Sequence, residues 1–317
     1  MRSAAKGCAK RIPPSFRRSS LRLLGGVLLL GLCVASAQSP RALLLDAAVA
    51  GDRVFAVGER GLLVQSPDSG RTWSRLDPPS DATLTALSFA PDRTQGWIVA
   101  HDATILASDD GGRTWRKQWQ GANLEDSFLD VLALSAQHAI AVGAYGLYLE
   151  THNSGATWQR RTVLDEDMHL NRITRTPDGI LFLAGERGTL LRSRDSGRTW
   201  EPLDSPYDGS LYGVLALGGD SLLLHGLRGH VFRSDDSGET WSAVPLDRPL
   251  LISTAVRTPA GEVLLAGQAG ALQRSEDGGQ RFVRRDSDPD SAIAELVVAP
   301  DGTILAVGEE GALPLPR

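Results

Sequence analysis

Six stretches of the chain place an acidic or amide side chain two residues after a Ser or Thr and two before a Gly. They are SPDSGRTW (66–73), SDDGGRTW (108–115), THNSGATW (151–158), SRDSGRTW (193–200), SDDSGETW (234–241) and SEDGGQRF (275–282). Carboxylates beside hydroxyls and a glycine could chelate calcium or supply a catalytic acid. A calcium loop of the EF-hand type needs a bidentate Glu several residues beyond its Gly, whereas most of these stretches run straight into Thr-Trp. Local turn chemistry explains the pattern better. An Asp or Asn accepts backbone N–H bonds within its own turn, Gly supplies a conformation other residues resist, and Trp offers a large face for packing. Asp68, Asp110, Asn153, Asp195, Asp236 and Asp277 therefore read as structural. Trp73, Trp115, Trp158, Trp200 and Trp241 read as packing residues, with Phe282 in the sixth Trp place.

Other chemistry is sparse. His101, His138, His152, His169, His225 and His230 stand at no recognisable ligand spacing. No metal, no cofactor and no Ser-His constellation is expected. The tyrosines are Tyr145, Tyr148, Tyr207 and Tyr212, and none sits beside a Glu in a way that marks a nucleophile.

The spacing of the six stretches, 41 to 43 residues, sets the architecture. Eight residues before each stretch stands Gly58, Ala100, Gly143, Gly185, Gly226 or Gly267, and the mark recurs at Gly308, so the period runs seven times. Each period holds four short alternating runs separated by turns, as in LTALSFA, WIVA, TILAS and the run after the Trp. Four strands per repeat imply propeller blades. The expected fold is all-β, a seven-bladed propeller of four-stranded blades, with Pro314 and Pro316 cutting the last blade short. Arg41–Leu44 is then free to pair into that blade as an N-terminal closing strand, which would leave no open edge.

Residues 1–37 read differently. Seven basic residues precede the apolar run LLGGVLLLGLCVA and the small-residue site Ala35-Ser36-Ala37, the pattern of a secretory signal peptide. Residues 38–317 would form one exported propeller, periplasmic in a bacterium. Lipid anchoring through Cys33 is the lesser alternative, because Leu32 stands where a small residue is required. Cys8 and Cys33 both lie in this leader, so no disulfide is expected beyond it. The leader holds seven of the 33 Lys and Arg and none of the 38 Asp and Glu, which leaves a strongly acidic remainder. No basic stripe appears, so nucleic acid is not an expected partner.

The motif S-x-D-x-G-x-T-W resembles the Asp-box, or bacterial neuraminidase repeat. In sialidases of that type, the face opposite the boxes carries the site. Here that face would show Glu59-Arg60, His101-Asp102, Ala144-Tyr145, Glu186-Arg187, Leu227-Arg228, Gln268-Ala269 and Glu309-Glu310. These pairs read either as solvated hairpin turns or as a binding rim. Arg160, Arg161, Arg172 and Arg175 surround Asp165-Glu166-Asp167 and could add a local basic patch. The sialidase signature Arg-Ile-Pro occurs only at Arg11-Ile12-Pro13, inside the leader.

AVGERGLLVQSPDSGRTW and LAGERGTLLRSRDSGRTW are similar to the repeat of the photosystem II stability and assembly factor family. That resemblance implies a non-catalytic, exported, monomeric scaffold that binds protein through an arginine-rich surface and supports assembly of a membrane-protein complex. Arg60, Arg187 and Arg228, flanked by Glu59, Glu186 and Tyr145, are the positions that would carry partner binding. The alternative is a sialidase-like glycoside hydrolase or a glycan-binding propeller.

Overall fold

Each alternating run becomes one strand and pairs antiparallel with its sequence neighbour. The computed structural model describes residues 41–284 and 290–316. They form seven sheets, six of four strands and one of three, each with its strands side by side in sequence order. The architecture is the expected seven-bladed propeller, and no α-helix occurs among the described residues. The leader reading falls outside those residues.

Blade one consists of Leu44–Ala50, Arg53–Gly58, Leu63–Ser66 and Ser74–Leu76. The second strand of most blades is buried along nearly its whole length, as in Gly96–Ala100 and Val263–Gly267. Each first strand carries a bulge one residue from its start, between Leu44 and Asp46 in blade one and between Ile293 and Glu295 in blade seven. A bulge re-aims the side chain that follows it. The residues so placed are Asp46, Ala86, Asp130, Arg172, Gly213, Thr254 and Glu295.

The periodic glycine has a packing cause. Gly58 and Gly143 are extended, yet a Cβ on either, or on Gly308, would come within 2.1 Å of the carbonyl oxygen of the residue just ahead of its blade's first strand: Leu43, Ser127 or Ala292. At these positions the backbone approach leaves no room for a side chain, whereas blade two, whose second turn differs, carries Ala100.

Apolar clusters lie between neighbouring blades. The cluster joining blades one and seven contains Leu44, Val54, Val64, Trp73, Leu305 and Val307, so the ring closes by packing. Strand closure by Arg41–Leu44 does not occur. Residues 41–43 are not in a strand, and Leu44 pairs with Gly58 inside blade one. Elsewhere the link from a fourth strand to the next first strand takes seven to nine residues. A closing strand at 41–44 would run into Leu44–Ala50, the first strand of blade one, with no such link between them.

Blade seven shows three strands and no box among the described residues, and blade six reflects it. Arg192 and Arg233, on the third strands of blades four and five, reach across to carbonyls in the next blade's box, those of Ser237 (2.8 Å) and Gly278. Arg274 holds the same place in blade six. It finds the Pro316 carbonyl at 3.2 Å and Glu262 only at 3.8 Å, and its buried Nε has no hydrogen-bond partner. A cavity of about 650 Å3, lined in part by Leu264, Arg274 and Leu315, opens beside it.

Candidate functional site

The repeated acids are absorbed by their own turns. The Asp236 carboxylate accepts the Ser234 hydroxyl at 2.7 Å, the Thr240 N–H at 2.9 Å and the Thr240 hydroxyl at 2.6 Å. The Thr240 hydroxyl and N–H, with the Ser234 hydroxyl, hold its acidity at about 2. Asp68, Asp110 and Asp195 repeat these bonds. Asn153 accepts the Thr157 N–H and donates from its amide to the Thr157 hydroxyl. Asp277 keeps the backbone bonds although Arg281 replaces Thr. Gly70 at φ 89° and its counterparts take the left-handed backbone this loop needs. Trp73 is buried in the seam with blade seven, Trp115 packs on blade one, and Trp158, Trp200 and Trp241 pack on the seams behind them.

Hydrogen bonds assign the two faces. Box residues Gly111, Ser154 and Ser237 donate to Thr94, Gln137 and Asp220 in the first turns. The second turns instead bond the blade-to-blade connections: Gly146 N–H to Met168 O, Gly188 N–H to Gly209 O and Gly270 N–H to Ser291 O.

On that opposite face five second turns share one conformation, a single 3-10 turn closed by a bond such as Leu62 N–H to Glu59 O. Their middle residues, Arg60, Tyr145, Arg187, Arg228 and Ala269, all lie at φ between 50° and 57°. A non-glycine residue pays about 1–2 kcal/mol for that region. The turns therefore present their middle side chains in one repeated local frame. Blade two departs from it, with Asp102 and Ala103 both at positive φ.

The rim residues are not a uniform ring. Arg187 and Arg228 line one cleft of about 530 Å3 with Glu186, Asp167, Tyr207 and Asp208. Glu186 holds the His169 N–H at 3.1 Å, and the His169 ring meets Tyr145 edge-on at 4.8 Å between centroids. Tyr207 stacks on His230 at 4.1 Å. Tyr145, exposed at 65%, thus begins a strip that runs through His169, Glu186 and Arg187 to Arg228 and Tyr207, across blades three to five. Glu59 and Arg60 sit on blade one, outside this strip. The sequence reading missed His169, Tyr207 and His230, whose stacking depends on how connections fold beside neighbouring turns.

The basic patch does not form, because its four arginines go separate ways. Arg160 pairs with Asp126, Arg161 with Glu150 and the Gly197 carbonyl, Arg172 with Glu295, and Arg175 points to the Leu134 carbonyl. Arg172 joins Asp46, Asp130 and Glu295 at the bulge positions. Burial pushes the Asp130 carboxyl up to about 6, against the pull of Arg172. Asp46 is raised too by burial, and burial lowers nearby His225 to about 4. A column alignment of the seven repeats would have shown these charged residues within apolar runs.

Tyrosine chemistry of the sialidase kind finds no support here. Burial raises both Tyr148 and Tyr212, so each holds its proton more firmly, and the Tyr148 hydroxyl accepts the Trp200 indole N–H.

A family model described as Photosynthesis system II assembly factor YCF48 matches residues 116–313. Photosystem II stability/assembly factor HCF136 of Arabidopsis thaliana is 26% identical over 189 residues, covering 51% of this chain and 47% of the relative. The photosystem II assembly lipoprotein Ycf48 of Synechococcus sp. (strain CC9902) is 26% identical over 150 residues, covering 47% and 43%. The chain thus spans about half the length of the curated relatives it matches. A solved structure of YCF48 bound to a D1 peptide is similar with a TM-score of 0.71 and 26% identity, over 87% of this chain and 92% of that one.

Proposed function

We infer the function from one premise: the chain belongs to the photosynthesis system II assembly factor YCF48 family. The reading it supports is an exported, non-catalytic scaffold that holds an extended segment of a protein partner during assembly of a membrane-protein complex. The observation that carries this reading is the Tyr145–His169–Glu186–Arg187–Arg228–Tyr207 strip with its cleft, on a scaffold similar to a YCF48 that has a bound peptide. Such a strip suits a polypeptide. Arginines at the cleft bind carboxylates and carbonyls, and aromatic faces take apolar side chains. The lipoprotein relative supports export.

Arg187→Gly with Arg228→Gly tests the reading cleanly, since Gly takes the left-handed backbone without strain. A photo-crosslinker at Tyr145 in cells identifies the partner segment, and a synthetic peptide of that segment is then titrated against wild type and variant. The reading requires at least tenfold weaker binding in the variant at an unchanged or higher melting temperature. Equal binding overturns it, and so does sialoside cleavage by wild-type protein that Tyr145→Phe or Tyr212→Phe abolishes.

A further inference from the structure

Two histidines that stand fourteen residues apart in sequence meet on the box face of blade three. The second and third strands of that blade pair Ala139 with Thr151 and Ile140 with Glu150, and the same register carried one step further sets His138 across from His152. Glu150 lies two residues before His152, on the same side of its strand. A cross-strand pair and an i, i+2 neighbour make a compact triangle. His138 Nε2 lies 2.8 Å and His152 Nε2 3.1 Å from the same oxygen, Glu150 Oε1. The two rings are 4.3 Å apart between centroids, and the three ligand atoms all fall within 4.8 Å of one another.

We propose that His138, Glu150 and His152 bind one divalent transition-metal ion, with Zn2+ the species best suited to the donor set. Two imidazoles and a carboxylate are borderline donors that suit zinc over calcium or magnesium. In a tetrahedral zinc site the ligands stand about 2.0–2.2 Å from the metal, hence roughly 3.4 Å from one another. The present separations of 2.8 and 3.1 Å from Glu150 Oε1 need to widen by about 0.6 and 0.3 Å to reach it. Glu150 is 3% exposed in its side chain while His152 is 59% exposed, so the site has a fixed floor and an open mouth for a water ligand.

The surroundings resemble a second shell. Arg161 donates to the other carboxylate oxygen, Oε2, at 2.6 Å, and to the Gly197 and Arg198 carbonyls of the next blade's box at 2.8 and 2.7 Å. That bond orients Glu150 and leaves Oε1 for the metal, the usual role of an outer partner. A bound ion would tie the box of blade three to its first turn beside the seam with blade four.

The test uses tag-free full-length protein treated with a chelator, then titrated with Zn2+ by calorimetry and with Co2+ in the visible spectrum. One equivalent should bind, with protons released, a raised melting temperature and the d–d absorption of imidazole-ligated cobalt. His152→Ala, at an exposed position, should weaken binding at least tenfold and lose that absorption, while His101→Ala, on blade two, should change neither. Zinc binding that is equal in wild type and His152→Ala, or no saturable binding by wild type, overturns the proposal. If His152→Ala melts well below wild type in chelator alone, His152→Gln serves as the second variant under the same criteria.

Discussion

Single side chains behave here according to whether their turn or the molecule's interior claims them. The box acids are claimed by hydroxyl and amide donors a few residues away, which is why their chemistry was legible from eight letters. Asp236→Asn should be tolerated, as Asn153 already fills one box, whereas Asp236→Ala should lower the melting temperature because the Thr240 N–H loses its acceptor. Equal melts for Ala and wild type would contradict that role. The buried acids at the bulge positions were not legible, because nothing local marks Asp130 as buried.

Their titration makes a prediction of opposite sign to that of the boxes. Asp130 binds its proton more tightly folded, near 6, than an ordinary carboxyl does. Its contribution is therefore fully present below the ordinary carboxylate range and fades as pH rises through about 6. His225, lowered to about 4 by burial, works the other way across an overlapping range, so the wild-type melt alone is ambiguous. The difference between wild type and Asp130→Asn isolates the term: the wild-type advantage should shrink as pH rises from 4 to 7. A constant difference would remove the argument.

Strands and turns follow the sequence closely, and the departures occur where separate segments of backbone meet. Alternation and the 41 to 43 residue period located every blade, but they could not reveal that the recurrent glycine admits an incoming carbonyl. Gly267→Ala would place a Cβ 1.9 Å from the Leu251 carbonyl oxygen. Overpacking of this kind costs about 1–3 kcal/mol, measurable as a lower denaturant midpoint, and an unchanged midpoint would refute the packing account. Arg192 and Arg274 give a paired contrast on equivalent third strands. Arg192→Met should cost roughly 1–3 kcal/mol, since it strands the Ser237 carbonyl and loses a charged donor. Arg274→Met should cost far less or stabilise, because the buried Nε it removes is already without a partner. Equal losses by chemical denaturation would show that the unpartnered Nε of Arg274 is energetically silent.

At the scale of the molecule, sevenfold repetition and the family resemblance were readable, while the arrangement of the rim was not. The rim expectation singled out Arg60, Arg187 and Arg228 by their equivalent positions, and equivalence in a repeat places residues on separate blades. Proximity arises instead between adjacent blades, where Arg187, Arg228 and Tyr207 share a cleft, or across one blade, where strand register draws His138 and His152 together. The seam between blades one and seven should be as costly to weaken as any other. Leu305 is fully buried there and packs beside Gly70, so Leu305→Ala should lose about 2–5 kcal/mol. A loss below about 1 kcal/mol would mean the ring is closed by something other than this packing.

That seam also divides the folding of the chain in time. Nearly every strand pairs with one that follows within a few residues, so each blade can assemble through fast local hairpins. Trp73 with Leu305, and Arg71 with Asp301 at 2.7 Å, join parts of the chain that are more than two hundred residues apart. Such a contact waits for all the intervening sheet to order, although the entropy of closing so long a loop grows only slowly with its length. Refolding should then show a far-ultraviolet phase that is largely complete before a slower tryptophan-fluorescence phase, and Trp73→Phe should delete the slow amplitude alone. Coincident phases would indicate that the propeller forms in one concerted event, with the ends of the chain meeting as early as its hairpins.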